Sequence, residues 1–414
     1  MLTKLGKIWL TRSIKPFIFN REYDNSLSYL NLDNLGLYIH IPFCRSICDF
    51  CPYCKTIYSK EKCDKYLDYL LKEIELVANQ SRIKKEITTL YFGGGSPALA
   101  IDRLDEILYT ISKYFYIKDG IGIELHSEDV TVECLEKLKS LGINKISIGI
   151  QSFQSKFQNI LGRKFVNLQS LSDSLSKVKF ETVSMDFIFA LPNQNYLDLK
   201  NDIDLAFDIG ANHIALYPFI NFKFTKSPIS ALNTKEKRNL YYSIIKHCTD
   251  KGYSQNSIWT FSKNNSIYSS MTRENYLGFG CSATTLLKDQ FKINTFSIDD
   301  YIARIENKVL PTSLTTRFTK RQRMLYYLFW TAYSTKVSEK DFEKFFNCSL
   351  KKYFGLEIKI AKLLKFIEEK DGVYTLTPKG SFYFHYYENF YTLSYIDKMW
   401  GIMKENPFPQ KIEL

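Results

Sequence analysis

Between residue 37 and about residue 252 the chain alternates short apolar, β-branched runs with longer stretches whose apolar positions recur every three or four residues. The strand-like run comes first each time, at a spacing of roughly 30 residues, the length of one βα unit. This pattern predicts strands over residues 37–41, 87–92, 121–125, 145–150, 183–190 and 213–219. Most of these runs are continuously apolar, as suits parallel strands covered on both faces. Leu67, Leu70, Leu71, Ile74 and Val77 fall on one face of a helix, as do Leu104, Ile107, Leu108 and Ile111, and then Leu135, Leu138 and Leu141 before the stop at Gly142. Further helices are predicted over 168–178, 196–209 and 234–250. Six such units with right-handed crossovers form an α/β sheet, either curled into a partial barrel or open and doubly wound. Both arrangements put function at the carboxyl ends of the strands.

After residue 254 the alternation gives way to an aromatic and polar stretch, expected as loops and short strands packed on the sheet. Beyond Arg317 the pattern is helical: LYYLFWTAY, KDFEKFFN and LEIKIAKLLKFIEEKDG, then VYTLTPKG, predict helices closing in a hairpin, as in a winged-helix module. The expected organisation is an N-terminal extension over 1–36, a βα region over 37–252, an aromatic-rich segment over 253–316 and a small helical domain over 317–414.

Composition narrows the class. The 414 residues are 45% hydrophobic and 24% charged, values of an ordinary folded chain. No apolar run approaches the roughly 20 residues of a membrane span, and Lys4, Lys7, Arg12 and Lys15 interrupt the start, so a cytoplasmic protein is expected. Lys and Arg exceed Asp and Glu by 56 − 44 = 12. That surplus suits an anionic partner such as a phosphate or a polycarboxylate. It is spread along the chain without a basic block, so no nucleic-acid role is expected.

Nine cysteines in a chain of this size read as reduced thiols. Five are scattered, whereas Cys44, Cys48, Cys51 and Cys54 fall within eleven residues just after the first predicted strand. The CxxxCxxC spacing lets one loop offer three thiolates to three irons of a [4Fe-4S] cube, leaving one iron open. An open iron can chelate S-adenosylmethionine (SAM), whose sulfonium an electron from the cluster then cleaves to a 5′-deoxyadenosyl radical. A zinc site would call for a second, separated pair, and the spacing offers none. Cys54 could be a fourth ligand or a bystander in the loop's outer turn.

Around the cysteines stand YIHIPFC (38–44), Phe50 before the third cysteine, YFGGGSP (91–97), ISIGIQSF (146–153), LGR (161–163) and MDFIFALPNQ (185–194). In order and spacing they resemble the radical SAM superfamily, and within it the oxygen-independent coproporphyrinogen III oxidase family and its relatives. The resemblance implies a partial (βα)6 barrel, a cluster on Cys44, Cys48 and Cys51, and one SAM or two. It implies that Gly94, Gly95 and Ser96 hold the methionine end of SAM, that Tyr38 and Phe50 lie beside it, and that Glu124 contacts it. Gln151, Arg163 and Asp186 would hold a second SAM or line the substrate side, with Tyr38, Arg163 and Asp186 as candidate catalytic residues. The implied activity is oxidative decarboxylation of tetrapyrrole propionates, with an electron donor such as flavodoxin or ferredoxin. A two-SAM methyltransferase or heme-modifying enzyme and a heme-binding chaperone share the same framework. The pattern departs from the family at His126 and Ser127, where Asn-Pro or Asp-Pro is common, at Phe165, and in Pro52 and Tyr53 ahead of Cys54. The His-Asn pair of the chaperones is missing from SSMTRENYLGFG.

Overall fold

The computed structural model describes residues 16–22, 26–79, 83–225, 229–263, 274–384 and 393–414. Six strands form its centre: β1 (Leu35–Ile41), β2 (Leu90–Gly94), β3 (Ile121–His126), β4 (Lys145–Gln151), β5 (Thr182–Phe189) and β6 (His213–Pro218). Each is parallel to the next in sequence, and all six lie side by side in chain order. Parallel neighbours need a crossover, and helices supply it: α1 (Lys60–Ala78), α2 (Leu104–Tyr114), α3 (Val132–Ser140), α4 (Leu168–Lys177) and α5 (Tyr196–Asp208). Ser59, Thr131, Asn167 and Asn195 cap four of these by accepting backbone N–H bonds, which explains why helix begins where it does. Six parallel strands joined by helices are thus the α/β arrangement the periodicity predicts, and the partial barrel is the form of it that the family resemblance implies.

The second strand begins later than the pattern suggests. Ile87 belongs to a separate short strand, Lys85–Ile87, which pairs with Phe115–Ile117, and β2 runs on to Gly94. Apolar character alone could not place the break, because Thr88 and Thr89 suit a strand as well as a link.

The aromatic-rich segment extends the sheet edge to edge. On one side β7 (Thr260–Ser262) lies antiparallel to β6. On the other, β8 (Asn275–Phe279) adds in parallel to β1, followed by β9 (Thr284–Leu286), β10 (Gln290–Asn294) and β11 (Thr312–Arg317) in antiparallel order. Ile18–Asn20 then pairs with β11, and Lys411–Glu413 pairs with Ile18–Asn20, so the described end segments close one edge together. Among the described residues the sheet has 14 strands.

Beyond β11 come helix Lys320–Tyr333, strand Lys336–Ser338, helices Glu339–Phe346 and Leu350–Leu363, and the hairpin Ile367–Lys370 with Val373–Leu376. The hairpin turn is Asp371-Gly372, both at positive φ, the Asp-Gly signal of a tight two-residue turn. Met324, Tyr327, Phe342, Leu350, Phe354 and Tyr374 bury together in an apolar cluster of this module's own.

Gly278 shows how tightly the added strands are fitted. It sits opposite Tyr38 in the β8–β1 ladder, and a Cβ there would lie 2.1 Å from the backbone oxygen of Thr284. Gly278→Ala is expected to cost about 1–3 kcal/mol, since backbone cannot yield as a side chain can. The check is the urea midpoint of the apoprotein.

Candidate functional site

Residues of one strand face alternate sides, and the inward positions of β1 to β5 carry polar groups that step along the strands from one to the next. Tyr38 stands opposite Tyr91, their rings stacked at 6.4 Å, and Glu124 stands opposite Ser147. Tyr91 donates to Glu124 Oε1 at 3.3 Å, and Ser147 donates to both carboxylate oxygens of Asp186 at 3.0 Å. Ser184 lies 3.5 Å from the same carboxylate and 2.9 Å from Nδ1 of His213 on β6. The result is a polar ladder across an otherwise apolar sheet. Burial raises the pKa of Glu124, and burial together with the Glu124 charge pushes Asp186 up to about 7.

The cysteine loop leaves β1 at Pro42. Phe43 and Cys44 pair with Thr56 and Ile57, so the loop closes on itself before α1. Cys44, Cys48 and Cys51 are partly exposed at the carboxyl ends of the strands, and burial with the neighbouring Cys51 and Cys48 pushes the Cys44 thiol up to about 12. Cys54 points elsewhere. It is buried, its Sγ 3.9 Å from that of Cys281 and donating to the carbonyl of Phe296 at 3.3 Å. The loop is anchored by its backbone: Lys55 Nζ donates to the carbonyls of Cys48 and Cys51 at 2.7 and 2.8 Å, and His40 Nε2 donates to that of Cys54 at 3.0 Å. Since that carbonyl can only accept, His40 Nδ1 is left to accept from the Tyr38 hydroxyl at 3.0 Å.

The glycine run lies against this loop. Gly95 N–H donates to Ile41 O at 2.8 Å, Ser96 N–H to Phe43 O at 2.7 Å, and Gly94 N–H to Glu124 Oε2 at 3.1 Å. A Cβ on Gly95 would stand 2.2 Å from Phe43 O and 2.8 Å from Cys44 Sγ, while Gly94, at φ +121°, would put one 2.7 Å from Ile41 O. Glycine is therefore required here first for contact between the two loops, a constraint that precedes any ligand.

Other expected residues also converge. Phe50 packs on the apolar group of Phe157, Leu161, Ile188, Leu191, Phe219 and Ile229. Gln151 ends β4 at φ +69°, where the register with β5 shifts. Arg163 does not present an open fork: Nη2 donates to Gly149 O at 2.8 Å, and Nη1 lies 3.8 Å from Cys48 Sγ. Tyr91, Ser147, Ser184, His40 and Lys55 escaped the sequence reading because each is an ordinary residue until the register sets it beside a charged neighbour. The C-terminal tail was missed as well: Trp400 packs on Tyr53 at 5.6 Å and on Phe296 at 5.9 Å, and Lys404 donates to Pro52 O at 2.9 Å. Residues 269–273, the first part of the stretch that lacks the His-Asn pair, lie outside the described residues.

Three thiols on one strand-end loop, with the cations of Lys55 and Arg163 close behind, form a donor set that fits an anionic iron–sulfur cluster. A parallel α/β barrel with this loop after its first strand defines the class, and residues 38–206 match the model of the radical SAM superfamily: the chain carries a radical SAM domain, a family whose members use a [4Fe-4S] cluster and SAM. It is 27% identical to an oxygen-independent coproporphyrinogen III oxidase of Synechocystis sp., over 87% of each chain. It is 26% identical to the heme chaperone HemW of Bacillus subtilis, over 83% of this chain and 95% of that one. The solved coproporphyrinogen III oxidase (HemN) of Escherichia coli superposes with a TM-score of 0.75 at 18% identity, covering 94% of this chain and 98% of that one. Among the described residues no helix is long and apolar enough to cross a membrane.

Asp186 offers a test of the ladder. Its pKa is raised above that of the unfolded chain, so the folded protein keeps a proton that the unfolded chain releases; the stability from this group is present near pH 4 and is lost as pH rises through about 7. Asp186→Asn cannot ionise and is expected to gain stability relative to wild type between about pH 5 and about pH 8. Denaturant midpoints of both apoproteins across that range check it. A constant difference would show that the carboxylate is well solvated.

Proposed function

We propose that this chain is a radical SAM enzyme acting on a tetrapyrrole, in the manner of the coproporphyrinogen III oxidases. The observation that carries the reading is the placement of Cys44, Cys48 and Cys51 at the mouth of a barrel whose inner face bears Tyr38, Glu124 and Asp186. In this reading the three thiolates hold a [4Fe-4S] cluster, and Lys55 and Arg163 offset its negative charge. The cluster with SAM supplies an electron and, from it, a hydrogen-abstracting carbon radical. The carbonyl side of Gly94, Gly95 and Ser96 receives the amino end of SAM, since their N–H groups are already engaged, and Glu124 accepts from the ribose hydroxyls. Tyr38 stands beside SAM, its hydroxyl orientation set by His40. Phe50 closes the loop's apolar side. Gln151 and Asp186 face the substrate or a second SAM, and Asp186 can hold or accept a proton near neutral pH. Arg163 is held on β4 by Gly149 O with its other amino group beside Cys48 of the cluster loop, and a carboxylate would have to share it. An acidic flavodoxin or ferredoxin would supply the electron to this basic protein, in the cytoplasm.

Heme carriage is a second reading, supported by the similarity to HemW over nearly that protein's whole length. One anaerobic experiment separates the readings. Reduced holoprotein is mixed with SAM and coproporphyrinogen III or heme, and products are weighed by mass spectrometry. Loss of two propionate carboxyl groups with formation of 5′-deoxyadenosine is expected. A methyl gain would favour a two-SAM methyltransferase, and tight heme binding without any product would favour the chaperone.

The ligand assignment has its own test. Anaerobically reconstituted protein is expected to hold about four irons and four sulfides. Replacing Cys44, Cys48 or Cys51 by Ala should abolish the cluster, whereas Cys54→Ala should leave iron content near wild type because that thiol faces Cys281. Equal loss in all four variants would overturn the assignment.

A further inference from the structure

One carboxylate joins the two loops on which the proposed chemistry depends. Asp129 ends the short turn Ser127–Asp129 that follows β3, and it is only 5% exposed. Its Oδ1 lies 2.5 Å from Nη1 of Arg45, the residue after Cys44. Its Oδ2 accepts a hydrogen bond from the hydroxyl of Ser96, the buried residue after the glycine run. A buried carboxylate is costly without partners, and burial raises the pKa of this one against the opposing pull of Ser96 and Arg45. The turn does not need the side chain for itself. Its backbone bonds, Val130 N–H to Ser127 O and Thr131 N–H to Asp129 O, would form with most residues at this position.

Both partners are specific to a loop and external to the turn. Arg45 is about half exposed, so the pull of Asp129 is what draws its head inward across the loop from β3. Ser96 sits where the chain leaves β2 for its first helical turn, and its N–H is already spent on Phe43 O. The side chain of Asp129 is therefore a second tie between loops that otherwise meet through the backbone bonds of Gly95 and Ser96.

We infer that Asp129 is a positioning residue that fixes the cysteine loop and the glycine loop against each other, through Arg45 and Ser96, and so sets the geometry in which SAM is bound. The inference rests on the radical SAM reading for its effect on SAM, but the tie between loops can be examined in the apoprotein. Asp129→Asn keeps the shape and the Ser96 contact while removing the charge that faces Arg45; Asp129→Ala removes both. Arg45→Gln breaks the tie from the exposed side, where folding is least at risk.

Hydrogen exchange of the full-length apoprotein is expected to rise at least about tenfold in residues 44–51 and 93–97 of the Asp129→Ala and Arg45→Gln variants, with the strands β4 to β6 unchanged. In reconstituted protein, iron content should stay near wild type, the KM for SAM should rise about tenfold, and the rate at saturating SAM should move by less than about twofold. Because one ion pair is at stake, Asp129→Asn with Arg45→Gln should be no worse than either alone. Unchanged exchange in both loops, or fully additive effects in the double variant, would overturn the inference. If wild-type holoprotein neither bound SAM nor formed 5′-deoxyadenosine, the radical SAM reading would fall, and the exchange result alone would decide the positioning role of Asp129.

Discussion

The parallel pairing of β1 with β2, from Leu37 against Leu90 to Ile41 against Gly94, is the contact on which the rest of the site depends. It brings the ends of two strands into register, so that the loops leaving them meet backbone to backbone. Gly95 and Ser96 donate to Ile41 and Phe43, and this is possible only because no Cβ stands between them. Slipping the pair by one residue would turn Tyr38 and His40 to the helical face and separate the cysteines from the glycines.

Around that seam the structure concentrates polar groups where a parallel sheet would ordinarily be apolar. Three of the inward polar contacts run between neighbouring strands: Tyr91 with Glu124, Ser147 with Asp186, Ser184 with His213. Such a ladder lowers the penalty for burying two carboxyl groups without cancelling it, and the raised pKa values of Glu124 and Asp186 record what remains. The energy for this comes from elsewhere in the fold, from the large apolar cluster beneath the helices and the strands added at the β1 edge.

Those added strands serve the site as well as stability. Phe296 follows β10 and Cys281 follows β8, and together they receive Cys54 and so hold the far end of the cysteine loop. Nearby, Glu73 of α1 accepts from Gly280 N–H at 2.7 Å and from the hydroxyl of Tyr301 at 2.6 Å, keeping that segment against the first helix. The tail at Trp400 and Lys404 closes over Tyr53 and Pro52 from outside. The loop is thus braced from β1, from the β8–β10 edge and from the tail.

The periodicity of apolar positions was enough to establish six βα units and the ends at which function sits, because burial on both faces of a strand and one face of a helix leaves a local imprint. The spacing of Cys44, Cys48 and Cys51 and the glycine run were legible for the same reason: each lies within one short segment. What depended on tertiary structure was every relation between distant segments. Sequence could not tell that Cys54 turns away toward Cys281, 227 positions on, that Arg163 is tied to Gly149, or that Asp129 reaches both Arg45 and Ser96. A side chain's partner across a sheet is set by register and twist, which no local pattern encodes, and so the chemistry each residue can perform was decided only when the strands came together.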